Sequence, residues 1–90
     1  MKLKQVIFKI TPIGKRTHFE SIVTDDSLDV CQKAVELGFH KDEARKLQQW
    51  IGRAQPDKER KEEKVFSLMY GLCWIGVICR DPGPGWKEKA

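Results

Sequence analysis

The run VFSLMYGLCWIGVIC, Val65 to Cys79, holds no charge, in a chain where 33% of the residues are charged. A stretch of this kind has to leave water over much of its length, so it locates the core. It is shorter than the ~20 residues that carry a helix across a bilayer. As a helix it is a poor choice: Gly71 and Gly76 would each cost ~1 kcal/mol, and Val65, Ile75, Val77 and Ile78 are weak helix formers. As strands it works, with Gly71-Leu72 as a two-residue turn joining Val65–Tyr70 to Cys73–Arg80. Strand is the preferred reading. Both faces of the run are apolar, which places it at the centre of the core.

The rest of the chain supplies the layers around it. LKQVIFKIT (3–11) and THFESIVT (17–24) alternate apolar and polar residues, and Pro12-Ile13-Gly14-Lys15-Arg16 supplies turn chemistry between them. This predicts a β-hairpin. Val6, Phe8 and Ile10, with Phe19 and Val23, form its expected core side. Gln5, Ile7 and Lys9, with His18, Glu20 and Ile22, form its expected outer side.

Asp25-Asp26-Ser27 offers a cap to a first helix with Leu28, Cys31, Ala34 and Val35 as its stripe and Gly38 as its stop. A second helix is expected from about Lys41 to Ala54, burying Ala44, Leu47, Ile51 and Ala54 and exposing Arg45, Gln49 and Arg53. Asp57 to Lys64, DKERKEEK, balances four acids with four bases and reads as a solvated loop or the first turns of a third helix.

The order ββααβ(β) defines an α+β fold. A small antiparallel sheet, built from the N-terminal hairpin plus one or two C-terminal strands, carries a two-helix hairpin on one face. Residues 1–80 make one domain. Residues 81–90, DPGPGWKEKA, make a flexible tail whose Trp86 either docks back or anchors a partner.

Charge and cysteine usage narrow the function classes. Residues 1–16 hold Lys2, Lys4, Lys9, Lys15 and Arg16 and no acid, so they carry +5 of a net +4. Such an end attracts phosphate or, as strand lysines do, blocks edge-to-edge association. The three cysteines are odd in number, which argues against a disulfide framework and for a reducing compartment. With no apolar leader segment, the expectation is a cytoplasmic protein with no membrane partner. Cys73 and Cys79 stand six apart in an apolar run and Cys31 stands alone, so the cysteines read as structural and no metal or cofactor is expected. His18 and Glu20, two apart on a strand, are the one base–carboxylate pair with a shared face. No nucleophile is aimed at them, and no phosphate-loop, nucleophile-elbow or zinc-protease motif is present. An enzyme is not expected.

The segment AVELGFHKDEARKL (34–47) carries two resemblances. Ala34, Leu37, Gly38, Phe39 and Leu47 resemble the frame of a helix-turn-helix unit, which implies DNA reading by the second helix. In this chain Lys33 takes an apolar position of that frame, and Asp42 and Glu43 would face phosphate. Leu37-Gly38-Phe39 with Ala44 also resembles the binding turn of a ubiquitin-associated domain, a three-helix unit that no hairpin precedes. The same residues do what any helical hairpin needs. Gly38 stops a helix, Phe39 fills the corner, and Leu37 and Leu47 face the sheet.

The expected function is therefore a small non-catalytic protein-interaction or inhibitor-type module. Its contact surface would be Gln5, Ile7, Lys9, His18, Glu20 and Ile22 with the turn residues Lys15 and Arg16, and a homodimer through that face is a variant. The alternative is nucleic-acid binding through Lys2 and Lys4 of the basic N-terminal strands, or through Arg45, Lys46, Gln49 and Arg53 of the helix pair 34–53.

Overall fold

A computed structural model of the chain describes residues 3–55, 58–67 and 69–82, those of 58–64 as backbone only. Lys2 and the tail residues 83–90, Trp86 among them, lie outside the described residues. The elements are β1 (Lys4–Pro12), β2 (His18–Thr24), α1 (Ser27–Glu36), α2 (Lys41–Arg53), β3 (Lys58–Ser67) and β4 (Gly71–Arg80). The strands form one antiparallel sheet in the order β2-β1-β4-β3, so the first and last strands are central neighbours. Both helices lie on one face, giving the expected α+β architecture with the second C-terminal strand present.

Alternation along β1 is complete. Val6, Phe8 and Ile10 are fully buried beneath the helices, and Cys79, Val77 and Ile75 stand opposite them on β4 in the same layer. From α2, Ala44, Leu47 and Ile51 close over these side chains, with Ala54 and Trp50 partly buried at the margin, as the helical spacing requires. Phe39, in the corner between the helices, meets Phe8 edge to face with ring centroids 6.2 Å apart.

The first helix begins at Asp26, whose side chain accepts the Leu28 N–H at 3.0 Å. It ends in a Schellman arrangement: Gly38 has φ 100°, its N–H reaches the Val35 carbonyl, and the Phe39 N–H reaches the Ala34 carbonyl at 2.9 Å. Its buried stripe is Val30, Ala34 and Leu37, while Leu28 and Val35 are exposed. The expected stripe was Leu28, Cys31, Ala34 and Val35. Both sets have helical spacing through Ala34, and contact with α2 and the sheet selects the former.

Three further expectations are corrected. The charged segment after Pro56 is neither loop nor helix, because β3 starts at Lys58 and pairs along β4. The register steps by one between Arg60 and Glu63, so Lys61 and Glu62 together oppose Gly76 in a bulge. The β3–β4 turn is also longer than two residues: Ser67 pairs with Gly71, which has φ 73°. Finally, β4 is not covered on both sides. Cys73, Ile75, Val77 and Cys79 are buried, but Leu72 and Trp74 face outward and are exposed.

Ser67 ties this turn to the helices. Its buried hydroxyl donates to the Leu37 carbonyl at the end of α1 and accepts the Met69 and Tyr70 N–H groups at 3.1 and 3.2 Å. Replacing Ser67 with alanine strands a buried acceptor and loosens the turn. The expected loss is about 1–3 kcal/mol, measurable by urea denaturation.

Candidate functional site

The sheet has one face under the helices and one without cover from any described element. Register decides what that open face displays. β1 and β2 pair Val6 with Ile22, Phe8 with Glu20 and Ile10 with His18, and directly opposed residues share a face. Ile22, Glu20 and His18 therefore lie on the helix side, and Ile22 packs against the core. Ser21, Val23 and Phe19 stand opposite Ile7, Gln5 and Lys9 on the open side.

This reverses the expected assignment for the whole of β2. Of the anticipated outer-face residues, Gln5, Ile7 and Lys9 are on the open face, and Lys15 and Arg16 are exposed in the turn. His18, Glu20 and Ile22 are not. The physical reason is that β2 is apolar on both faces, with Ile22 on one and Phe19 and Val23 on the other, so its pattern alone leaves the register free. A usable signal lay in the turn. Five residues between Thr11 and Thr17 make those threonines opposite, and their hydroxyls lie 3.2 Å apart. Continuing that count down the ladder puts Ile22 beside Val6.

With this register the open face is strongly apolar. Phe19, on β2, is 62% exposed, Trp74, on β4, 42%, and Phe66, on β3, 68%. Leu72 stands opposite Phe66, Trp74 opposite Thr11, and Ile78 opposite Ile7, so apolar residues recur on all four strands. Ile13, in the turn, extends the patch, and its N–H reaches the Leu72 carbonyl at 3.2 Å. Among the described side chains of this face the charged ones are Lys9 and Arg80, and on β3 the register sets Glu59 opposite Ile78 and Lys64 opposite Trp74. Sequence reasoning passed over Phe19, Phe66, Leu72 and Trp74 because it assigned the first to the core and enclosed the other three within it.

The residues of the nucleic-acid alternative fare differently from one another. Lys4 is turned inward and is 7% exposed; its ammonium donates to the Ile51 and Ala54 carbonyls at 2.8 and 2.7 Å. It caps the C-terminus of α2 and is withdrawn from any ligand. Arg45, Lys46, Gln49 and Arg53 are exposed along α2, where Lys46 approaches Glu43 at 3.4 Å and the Arg53 Nε donates to the Gln49 carbonyl.

His18 and Glu20 share a face, but each has a partner elsewhere. The His18 ring lies 4.5 Å from that of Tyr70, and Glu20 meets Lys33 at 3.7 Å. None of the three cysteines forms a disulfide; Cys73 and Cys79 are buried and Cys31 is half-buried on α1. Burial pushes the Cys73 thiol above its ordinary pKa, because the thiolate would be desolvated. A thiol pKa raised in the folded state adds stability below its unfolded value, about 8.5, and that contribution is lost as pH rises past it. Alkylation with iodoacetamide at pH 8 is expected to modify Cys31 first, and Cys73 and Cys79 only on unfolding, as peptide mapping would show.

No helix among the described residues is long and apolar enough to cross a membrane. Compared with protein-family models, with curated proteins and with solved structures, the chain finds no match.

Proposed function

We infer that this protein is a non-catalytic binding module whose working surface is the open face of the sheet and whose partner is another protein. The observation that supports this reading is the exposure of four large apolar side chains, Phe19, Phe66, Leu72 and Trp74, on the three strands β2, β3 and β4 of one uncovered sheet face. Large apolar side chains left exposed together on one face mark interaction sites, and aromatic side chains make the strongest anchors in them. Aliphatic Ile7, Ile78 and Val23 continue the face beyond Phe19, at the end away from Trp74 and Phe66, and such side chains suit a protein surface better than a string of bases. The compartment that fits three cysteines without a disulfide is a reducing one, such as the cytoplasm.

A second reading has its own support. Four-stranded sheets bind single-stranded nucleic acid by stacking bases on exposed aromatics, and here Phe19 and Trp74 flank the strand that carries Lys9.

One set of variants tests both. Phe19→Glu with Trp74→Glu is expected to leave thermal unfolding within a few degrees of the parent while reducing association more than tenfold. Self-association is read by sedimentation velocity, and partner capture by pull-down with parent and variant side by side. Any partner retained equally by the variant refutes the reading. Quenching of Trp74 fluorescence by short oligonucleotides, weakening with salt at a log–log slope of about −0.7 per phosphate, would transfer the surface to nucleic acid.

A further inference from the structure

The two edges of the sheet are treated differently. The outer edge of β3 runs through seven consecutive charged residues, KERKEEK, and carries the bulge opposite Gly76. Charges and bulges are the usual means of preventing a further strand from adding. The other edge, β2, has the sequence HFESIVT, with one charge, no lysine, no proline and a regular register over seven residues. Among the described residues no strand pairs with its outer side. A row of backbone N–H and C=O groups is therefore left for a partner.

Beside that edge lies a cleft. The first helix touches β2 only sparsely, and the gap between them, about 350 Å³, is lined by Ile22, Val23 and Thr24 of the strand and Asp29, Gln32, Lys33 and Glu36 of the helix. An edge strand with a helix standing off beside it is the geometry in which extended peptides add to a sheet. Main-chain bonds supply affinity there, and the helix supplies selectivity.

Charge says which peptide. Residues 18–36 hold five acids and one lysine, a net −4, whereas the rest of the chain carries +8. The one lysine, Lys33, is already turned toward Glu20. A second copy of this chain joined β2 to β2 would bring the same acids together, Glu20, Asp29 and Glu36 against their counterparts, which opposes that arrangement. We propose that the β2 edge and the cleft beneath α1 form a second binding site, which accepts an extended, basic peptide segment as a fifth strand. This site is separate from the open face and stands without it.

The test uses the whole protein and an eight-residue peptide alternating lysine with valine. The expected result is saturable binding by fluorescence anisotropy, with hydrogen-exchange protection appearing at alternate amides of β2. Methylating one alternate set of peptide nitrogens should abolish binding and the other should spare it. The Gln32→Lys, Glu36→Lys variant, altered only at exposed positions, should bind at least tenfold more weakly. Equal binding of a glutamate–valine peptide, equal effects of the two methylated sets, or no protection at β2 would overturn the proposal. Protection of β2 that rises with protein concentration alone would also overturn it, by giving the edge to a second copy. Binding lost in a Trp74→Ser variant would place the peptide on the open face instead.

Discussion

Replacing Phe8 with alanine is expected to lower stability by about 3–5 kcal/mol, whereas the same change at Phe19 should cost less than about 1 kcal/mol. Phe8 is fully buried, touches Phe39 edge to face, and sits between Val6 and Ile10 in the layer under the helices. Its removal leaves a cavity that neighbours on a rigid sheet cannot collapse to fill. A domain of this length holds on the order of 5–13 kcal/mol in total, so the variant would be partly unfolded at 37 °C. Phe19, 62% exposed on the far face, loses little on truncation. Urea denaturation of the two variants decides the register of β2, because a slip of one residue would make both substitutions severe.

Lys4→Met should produce the next largest loss, about 2–3 kcal/mol. The methionine keeps the length and apolar stem of the side chain and removes its ammonium. That ammonium donates to two carbonyls at the end of α2, where the helix dipole presents its negative pole. The Ile51 carbonyl retains a long bond from the Ala54 N–H, at 3.3 Å, so the substitution does not leave it wholly orphaned. A shift of roughly 4–8 °C in Tm per kcal/mol applies to a domain of this size. The variant should therefore melt some 10 °C or more below the parent, by circular dichroism at 222 nm.

How far the fold could be read from the chain depended on whether one pattern or two fitted each segment. β1 has Gln5, Lys9 and Thr11 around Ile7 on one side and Val6, Phe8 and Ile10 on the other, and the second side buries the larger apolar set. α2 likewise offers a single stripe, because charged or amide side chains fill the positions around Ala44, Leu47 and Ile51. β2 and α1 each offer two, and local pattern could not choose between Ile22 and Phe19, or between Val30 and Leu28. For β2 the loop count between Thr11 and Thr17 held the answer. For α1 the choice is made by tertiary contact alone.

The charged first part of β3, Lys58 to Lys64, differs from its expected loop or helix for another reason. Seven charges in succession resemble a solvated loop, and their strand conformation follows from pairing with β4, which is non-local. The candidate surface was hidden by the same effect. An uncharged run reads as enclosed on both sides, since sequence shows that residues are apolar but not whether a second layer exists to cover them.

The adjacency of β1 and β4 has a consequence for how the chain reaches this state. Val6 meets Cys79 and Ile10 meets Ile75 across more than sixty intervening residues. The central seam of the sheet thus closes only after a long excursion of chain has been ordered, at an entropic cost that local contacts do not offset. Two hairpins and a helical pair can form early from neighbouring residues, but none has its apolar side sheltered until the seam zips. Folding should accordingly be governed by this late docking, on millisecond-to-second rather than microsecond timescales, with Phe8 and Val77 setting its rate and the outlying β2 and β3 edges contributing little.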